Sequence, residues 1–294
     1  MQRLFFRPQP APTSFEVRPA TPADRAALNR LTESARRAHF HLDWLSIDDW
    51  IAESARGAWI ARNGRCVAGA LIAPALDAPI AWVRLVAVAD DYDAEAMLAA
   101  LMPPAIQALC AAGIESLACL AHPDWLAERL PGLGFAPAAD VTHFRKVDSA
   151  IPDYGSPAVG VRPAAPDDLP IILANDRAAF DPIWWHTLDS LARILRQAAH
   201  FVVAELDGQV VGHAFSDLYG GQGHLIRLAV HPARQRHGIG ARLLAESLAH
   251  LLAAGAGTIT LNTQADNYTS QSLYRRFGFA PTGESTAVTV RDLQ

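Results

Sequence analysis

Cysteine is scarce in this sequence. Three cysteines occur among 294 residues, Cys66, Cys110 and Cys119, and no two of them have the C-x-x-C spacing. This scarcity and spacing indicate neither a disulfide framework nor a zinc site. Among the eleven histidines, His39 and His41 form the one close pair, without an H-E-x-x-H motif or a carboxylate cluster beside them. We therefore expect no metal site.

Long apolar segments and a strong net charge are also lacking. The first residues, MQRLFFRPQPAP, place three apolar residues together before Arg7, too few for a signal-peptide core, and we expect no apolar run that could span a bilayer. The net charge of −5 is spread along the chain, which disfavours a general nucleic-acid or membrane-surface binder. These absences predict a cytoplasmic protein. Apolar residues make up 51% of the chain, which is enough to form sizeable hydrophobic cores.

The sequence contains an internal repeat. The segment RPATPAD begins at Arg18 and RPAAPDD begins at Arg162, an offset of 144 residues (162 − 18). Near the other ends of the two copies, GFAP begins at Gly134 and again at Gly278, with the same offset. Equal offsets at both ends indicate two copies of one structural unit.

The patterns between these anchors also correspond. Each copy contains an apolar hairpin pattern, WIARNGRCVAG at Trp59 and FVVAELDGQVVG at Phe201. Each continues with an apolar run, WVRLVAV at Trp82 and LIRLAVH at Leu225. The order of elements is therefore expected to be the same in both copies.

Helical periodicity completes the predicted unit. Amphipathic helices are predicted around 95–111 and 238–254, each followed by a short strand, IESLACL in the first copy and TITLNTQ in the second. Each copy should open with a strand and one or two helices, continue as a strand meander, and end in a helix and a strand. This predicts an α+β fold of two tandem domains, each a mixed, mostly antiparallel sheet flanked by helices. The predicted parts are an extension over 1–14, a domain over 15–150, a linker over 151–160 and a second domain over 161–294.

In the second copy an apolar strand pattern breaks at glycines before a helix. The stretch LAVHPARQRHGIGARLL, Leu228–Leu244, places Gly238 and Gly240 where a helix leaves its first backbone N–H groups unpaired. Glycines permit close approach of a phosphate, and the helix dipole favours an anion. Three arginines add positive charge: Arg234, Arg236 and Arg242. Glycines that only permit tight packing are the alternative interpretation.

Two familiar phosphate motifs do not fit this turn. A P-loop requires G-x-x-x-x-G-K-[ST], and a dinucleotide fingerprint requires a third glycine where Leu243 stands. The pattern Gln235-x-x-Gly238-x-Gly240 instead resembles the coenzyme A pyrophosphate loop of the GCN5-related N-acetyltransferase (GNAT) superfamily. The stretch LNTQADNYTSQSLYRRFGF, Leu261–Phe279, is similar to the second cofactor motif of that family, with Asn, then Tyr seven residues later, then Gly-Phe.

The resemblance to active members covers about 160–294, and the first copy resembles a degenerate version of the same fold. It implies acetyl-CoA as the cofactor, bound through main-chain atoms of the strand and through the turn. The implied cofactor-binding residues are Leu228, Ala229, Val230, Gln235, Arg236, His237, Gly238, Ile239, Gly240, Ala241, Asn267 and Ser270. Asn267 has helix capping as its alternative role, and the strand residues have plain core packing. The first copy should not bind coenzyme A, since YDAEAM replaces QRHGIG there.

The resemblance also implies catalytic residues. Tyr274 matches the family tyrosine that protonates the departing sulfur, with packing on the sheet as the alternative. Lysine-acetylating members carry a glutamate base where this chain has His224, so a neutral imidazole is the candidate base, acting directly or through water. A surface strand residue is the alternative reading of His224. Relatives that acetylate N-termini carry a glutamate where this chain has Asn262, which cannot act as a base.

Acceptor recognition is expected from the first helices of the second copy. In AFDPIWWHTLDSL the candidate substrate-binding residues are Phe180, Trp184 and Trp185, beside carboxylates that suit an amine, although these aromatics could equally seal the junction of the two copies. The predicted function is direct acetyl transfer to a small-molecule or peptide amine. The alternative is a non-catalytic acyl-CoA sensor or interaction module. The tandem repeat would allow a monomer to act as a pseudo-dimer.

Overall fold

The computed structural model describes residues 15–41, 46–53, 57–64, 66–76, 79–122 and 124–294. The predicted extension over 1–14 lies outside these residues. The chain forms two compact units, one of Met1–Ala136 with Thr289–Gln294 and one of Pro137–Val288. Each unit combines strands and helices as an α+β fold, in agreement with the sequence.

The N-terminal unit holds two groups of strands. Its strands are β1 (Glu16–Pro19), β2 (Arg37–Phe40), β3 (Ala58–Asn63), β4 (Cys66–Ile72), β5 (Ile80–Trp82), β6 (Leu85–Val88) and β7 (Ser116–Ala121). Its helices are α1 (Arg25–Ser34), α2 (Ile47–Glu53) and α3 (Ala94–Ala111). Five strands form a sheet in the order β1-β3-β4-β6-β2, and β5 pairs in parallel with β7. The predicted hairpin at Trp59 is confirmed as β3 and β4.

The C-terminal unit is built on one mixed sheet. Its strands are β8 (Ala136–Lys146), β9 (Gly160–Pro163), β10 (His200–Leu206), β11 (Gln209–Tyr219), β12 (Gln222–Val230), β13 (Thr258–Gln264) and β14 (Ala280–Asp292). Its helices are α4 (Leu169–Ala179), α5 (Leu188–Gln197), α6 (Ile239–Ala253) and α7 (Tyr268–Arg276). The strand order is β9-β10-β11-β12-β13-β8-β14. Antiparallel pairing prevails, and β12 with β13 is a parallel pair.

The repeated RPATPAD and RPAAPDD segments form the same structure twice. Arg18 makes two hydrogen bonds to the carboxylate of Asp24, at 2.8 and 2.6 Å, and Arg162 makes two to Asp168, at 2.7 and 2.8 Å. Each aspartate closes a 3₁₀ turn that leads into the first helix of its copy. The repeat found in the sequence therefore preserves a bidentate Arg–Asp pair, which fixes the first strand to the first helix.

The compact units do not coincide with the sequence repeats. Strand β8 ends the first repeat, but it pairs antiparallel with β13 in the C-terminal unit, with His143 opposite Asn262. The last residues of the second repeat belong to the N-terminal unit, where the Leu293 N–H donates to the Glu115 carbonyl at 2.9 Å. The end of each repeat thus completes the other unit, so local sequence similarity does not locate the unit boundaries.

Two expectations from the sequence are wrong. Over the described residues 124–134 the first repeat has no closing α-helix: residues 124–130 form turns and Pro131–Leu133 form a 3₁₀ turn, at a proline that disfavours an α-helix interior. Helix α3 is also long and apolar enough to cross a membrane by length and composition alone. Its buried residues, including Met97 and Leu101, pack into the core of the N-terminal unit.

The core of the C-terminal unit lies on one face of its sheet. Helices α6 and α7 cover this face with a cluster that includes Leu244, Leu248, Phe277 and the phenol ring of Tyr274. Leu225 of β12 packs into the same cluster. Because successive side chains of a strand point to opposite faces, the neighbouring His224 faces the side covered by α4 and α5.

Candidate active site

Strand β12 has an unpaired edge in its second half. Its parallel pairing with β13 covers Gln222–Leu225 and ends where Leu225 lies opposite Leu261. The other edge of β12 continues in pairing with β11 as far as Val230. Within the described part of the chain, no strand pairs with the first edge over 226–230. Alternate residues of a paired strand direct their main-chain groups to opposite edges, so Leu228 presents its N–H and C=O to the open edge, whereas Ala229, opposite His213, directs its groups to β11. The main chain of Leu228 is therefore available to an extended ligand, and that of Ala229 is not.

The turn after β12 presents backbone N–H groups. Helix α6 begins at Ile239, and no side chain caps it at Gly238. The Arg242 N–H donates to the Gly238 carbonyl at 3.0 Å, and this is the first α-helical hydrogen bond of α6. The N–H groups of residues 239–241 therefore have no acceptor within the helix. Residues 236 and 238 both have left-handed backbone conformations, with φ of +69° and +76°. Left-handed residues beside uncapped helix amides are typical of anion-binding turns.

The predicted linker forms part of this corner. A Cβ atom on Gly238 would lie 2.9 Å from the Ser156 backbone nitrogen, and one on Gly155 would lie 3.0 Å from the Arg242 Cα. Tyr154 contacts the Phe277 ring edge to face at 5.7 Å. A Cβ on Gly240 would meet only ordinary contacts, the nearest at 3.5 Å. Packing thus requires glycine at 238 and tolerates alanine at 240.

Several polar side chains of the turn support its shape. The Gln235 amide donates to the Val230 carbonyl at 3.2 Å, and the His237 Nδ1 donates to the Gln235 carbonyl at 2.8 Å. Arg234 contacts Gln209, and Arg242 faces Glu246 at 3.5 Å one helical turn on. Among the described residues Arg236 makes no ion pair, and it is exposed. Arg236 is therefore the arginine of this turn whose charge is free to meet an anionic ligand.

Helix α7 positions Tyr274 in the core. Asn267 caps the helix by accepting from the Ser270 N–H at 3.1 Å, so its capping role is confirmed. Tyr274 is 6% exposed, and the Ser270 side chain interacts with its phenol. Burial raises the pKa of Tyr274 to about 12, against a smaller lowering by Ser270. The phenol therefore keeps its proton at neutral pH.

His224 is held in one orientation. Its Nδ1 lies 2.8 Å from the Thr260 hydroxyl, and that hydroxyl donates to the Gly223 carbonyl at 3.3 Å. Thr260 therefore accepts from Nδ1–H, which leaves a lone pair on Nε2. Burial and, to a smaller extent, the nearby His143 lower the pKa of His224, while Asp217 raises it. The imidazole is neutral near pH 7, as a base must be.

Sequence reasoning missed the polar residues around His224. Asp217 lies directly opposite His224 in the β11–β12 pair. A β-bulge at Phe215/Ser216 shifts the register of these strands, so no sequence period predicts the pairing. His143 comes from the end of the first repeat, and its Nε2 lies 2.8 Å from the Thr286 hydroxyl. The four groups place carboxylate, imidazole and hydroxyl chemistry on one face.

A buried ion pair positions the aromatic segment, residues Phe180–Trp185. Arg227 makes two hydrogen bonds to the fully buried Asp176, at 2.8 and 2.7 Å, and a third to the Trp184 carbonyl at 2.8 Å. Its guanidinium lies 3.5 Å from the centre of the Phe180 ring. Although burial alone would raise it, the pKa of Asp176 is lowered by His213 and Arg227. The pair is therefore charged, and it fixes the segment to β12.

The predicted acceptor aromatics are thus partly committed to the fold. Phe180 stacks on Arg227, and the Trp185 indole N–H donates to the Phe180 carbonyl at 2.7 Å. Arg177 lies over the Trp185 ring at 5.4 Å. Trp184 is half-buried in the same segment. A role for these three residues in acceptor binding stays a prediction.

The comparisons with known proteins concern the same region. Residues 170–279 match the model of the acetyltransferase (GNAT) family. The C-terminal region is a GNAT acetyltransferase domain. Two relatives are mycothiol acetyltransferases, 38% identical over 84 residues in Streptomyces avermitilis and 36% over 95 residues in Cellulomonas flavigena. These matches cover 28% and 29% of this chain and span 27% of the length of each relative.

Solved structures resemble the fold over most of the chain. A GCN5-related N-acetyltransferase from Sphaerobacter thermophilus has a TM-score of 0.65 at 15% identity and covers 95% of this chain and 96% of its own. A tandem GNAT protein from the clavulanic acid biosynthesis pathway also has a TM-score of 0.65, at 13% identity, with coverage of 96% and 99%. At these identities the likeness shows the fold alone: two GNAT-like halves in one chain.

Proposed function

We propose that the GNAT domain transfers an acetyl group from acetyl-CoA to an amine by direct attack. The observation that carries the proposal is the unpaired edge of β12, which leads from the end of its pairing with β13 to the uncapped amides of α6. An extended arm that ends in a polyphosphate requires both features in this order. The residues of the chain therefore fit the group that the family implies.

The acid and the base approach from opposite faces of the sheet. Tyr274 belongs to the core under α6 and α7, whereas His224 faces the side of α4 and α5. The gap between β12 and β13 joins the two faces. A thioester carbonyl there would have the phenol on one side and the imidazole on the other.

Acetyl-CoA supplies the thioester, and the chain manages two protons. An amine that arrives as a cation first loses one proton to solvent, and His224 Nε2 then accepts a second proton as the neutral nitrogen bonds to the carbonyl carbon. As the carbon–sulfur bond breaks, Tyr274 donates its proton to the sulfur. Solvent then returns a proton from His224 to Tyr274, which balances the cycle. No cysteine lies in residues 137–288, so a thiol acyl-enzyme is not part of the proposal.

The acceptor is proposed only as a class. The matched relatives are named for mycothiol, but the matched segments span about a quarter of their length. Asp217 beside His224 and the aromatic segment Phe180–Trp185 suit an amine that arrives as a cation. We therefore propose a small-molecule or peptide amine as the partner.

Tyr274→Phe tests the chemistry. We expect kcat for thiol release to fall about 100-fold or more, because the acid is lost, while the Kd for acetyl-CoA changes little. Tyr268→Phe is the matched control, since Tyr268 lies on the same helix but is 74% exposed. Equal kcat values for the two variants would contradict the proposed acid.

A non-catalytic acyl-CoA sensor is the second candidate. It is favoured by the burial of Tyr274, whose hydroxyl already has Ser270 as a partner. Calorimetry of acetyl-CoA binding beside thiol release with a panel of primary amines separates the two. Tight binding without thiol release from any amine would favour the sensor.

A further inference from the structure

The two repeats open their sheets at the same point. In the C-terminal unit the parallel pair ends with Leu225 opposite Leu261, and in the N-terminal unit it ends with Trp82 opposite Ala118. Trp82 and Leu225 begin the corresponding segments WVRLVAV and LIRLAVH. Strand β6 is therefore the counterpart of the β12 segment whose edge the proposed function gives to the cofactor arm.

In the N-terminal unit this edge is occupied. Strand β2 pairs antiparallel with β6 from Arg37 opposite Val88 to Phe40 opposite Leu85. The His41 N–H extends the ladder by donating to the Arg84 carbonyl at 2.9 Å. The main-chain groups that an extended arm would use are thus bonded to the chain itself.

A buried histidine anchors β2 across the opening. His39 is 1% exposed, and its Nδ1 lies 2.8 Å from an oxygen of Asp124, just beyond β7. Its Nε2 lies 3.7 Å from the sulfur of Cys119, within β7. Strand β2 therefore bonds to β6 through its backbone and to the β7 side through one side chain. Burial raises the pKa of the Cys119 thiol to about 12, so this cluster holds the strand and does not attack a substrate.

The turn that follows β6 has the opposite polarity to the phosphate-binding turn. Asp93 caps helix α3 by accepting from the Ala96 N–H at 2.8 Å, whereas α6 has no side-chain cap. Arg36 donates to the Asp90 carboxylate from its backbone and side chain, at 3.1 and 2.8 Å. Arg37 donates to the Tyr92 carbonyl at 2.6 Å. The Asp93 carboxylate thus takes a helix N–H that a phosphate would use, Arg36 pairs with the Asp90 carboxylate, and Arg37 donates to a main-chain carbonyl of the same turn.

We propose that the segment Arg36–Phe40 permanently occupies the slot in which the N-terminal repeat would otherwise bind acetyl-CoA. Its strand takes the place of the arm, and its two arginines face the acidic turn in place of the phosphates. The chain then holds one acetyl-CoA site. Exposed pairs such as Arg36–Asp90 contribute little energy, so the backbone ladder and buried His39 supply most of the hold.

Hydrogen exchange with the unmodified protein tests the occupant directly. We expect amides of residues 37–41 to exchange on the order of 100-fold or more slower than in an unstructured peptide without ligand. Exchange of these amides at the rate of a free peptide would overturn the proposal. This measurement does not depend on turnover, so it stays decisive even if the proposed transferase function fails.

Calorimetry tests the stoichiometry. Gly240→Asp places a carboxylate at the start of α6, where the Cβ has room, and should remove acetyl-CoA binding there. We expect one site in the unmodified protein and none in this variant. A site that persists in Gly240→Asp, together with faster exchange of residues 37–41 on acetyl-CoA addition, would show that the strand yields to the cofactor. If neither protein binds acetyl-CoA, the proposed function is contradicted. The hydrogen-exchange measurement then still tests whether Arg36–Phe40 occupies the slot.

A disulfide between β2 and β6 provides an independent check. Ala38 lies opposite Ala87, so Ala38→Cys with Ala87→Cys can lock the strands, in a background where the exposed Cys66 and Cys110 are serine. We expect oxidised and reduced protein to bind the same number of acetyl-CoA molecules. Loss of one binding equivalent on oxidation would overturn the proposal.

Discussion

His224 Nδ1 lies 2.8 Å from the Thr260 hydroxyl, and this contact decides which imidazole nitrogen keeps a free lone pair. Because Thr260 donates to the Gly223 carbonyl, it can only accept from Nδ1–H. We predict that His224→Gln lowers kcat about 100-fold and that Thr260→Val lowers it less, since the imidazole remains but its tautomer is free. Steady-state kinetics at saturating acetyl-CoA measure both. Unchanged kcat in His224→Gln would exclude the histidine as base.

The pH dependence of kcat/KM should follow the charges around His224. The base must be neutral, so activity should fall as the pH drops through its pKa, which lies below the usual 6.5. Asp217 raises that pKa, so Asp217→Asn should move the acid limb to lower pH. His143 lowers it, so His143→Gln should move the limb to higher pH. Each shift should be up to about one pH unit.

Asp207→Asn is the control for these pH profiles. Asp207 lies in the exposed β10–β11 turn with φ of +53°, a conformation that asparagine tolerates. Its profile should match the unmodified protein. Shifts of the same sign in Asp217→Asn and His143→Gln would contradict the assignment of the base.

The two glycines of the turn should respond differently to alanine. Gly238→Ala meets both a left-handed backbone and the Ser156 nitrogen at 2.9 Å, which should cost about 1–2 kcal/mol and weaken acetyl-CoA binding about tenfold. Gly240→Ala meets contacts no closer than 3.5 Å and should change the Kd little. Calorimetry compares the two variants. Equal losses would indicate that phosphate approach, not backbone conformation, sets the requirement.

The buried Asp176–Arg227 pair, which joins α4 to β12, should contribute strongly to the free energy of unfolding. Asp176→Asn would leave a guanidinium buried without its counter-charge, and we predict a loss of about 3–5 kcal/mol in the free energy of unfolding. Glu246→Gln, which breaks the half-exposed pair with Arg242, should cost less than about 0.5 kcal/mol. Denaturant titration measures both. Similar losses would mean that Arg227 is better solvated than its position indicates.

Acid should destabilise the protein through His200. Burial, and then the stacked ring of His250 at 4.1 Å, lower the pKa of His200 to about 4. Between pH 6.5 and 4 the unfolded chain binds a proton that the folded chain refuses, so stability falls as the pH drops through this window. His200→Gln should flatten that part of the curve. The exposed His237→Gln should leave it unchanged.

Features set by neighbouring residues were predictable from the sequence. The hairpins, helices α3 and α6 and the glycine turn before α6 all follow from local periodicity and glycine chemistry. The repeat offset also anticipated two similar halves, which the solved structures bear out in fold.

Features set by distant strands were not predictable. Asp217 faces His224 only because a bulge shifts the register, and His143 reaches the site on a strand from the other repeat. The role of β2 also depends on which strand leaves an edge open, a property of the whole sheet. Residues far apart in sequence determine these contacts, and one sequence carries no local sign of them.

The position of β8 bears on how the acetyltransferase half could be isolated. A fragment that starts in the predicted linker at 151–160 would lack β8, the strand that pairs with β13. It would expose a row of unpaired amides and carbonyls on β13, and such edges promote aggregation. It would also lose His143. A fragment that begins before Pro137 retains β8. The first residue of an expressed C-terminal fragment should therefore be chosen from the strand pairing, and not from the proline-rich stretch at 151–160.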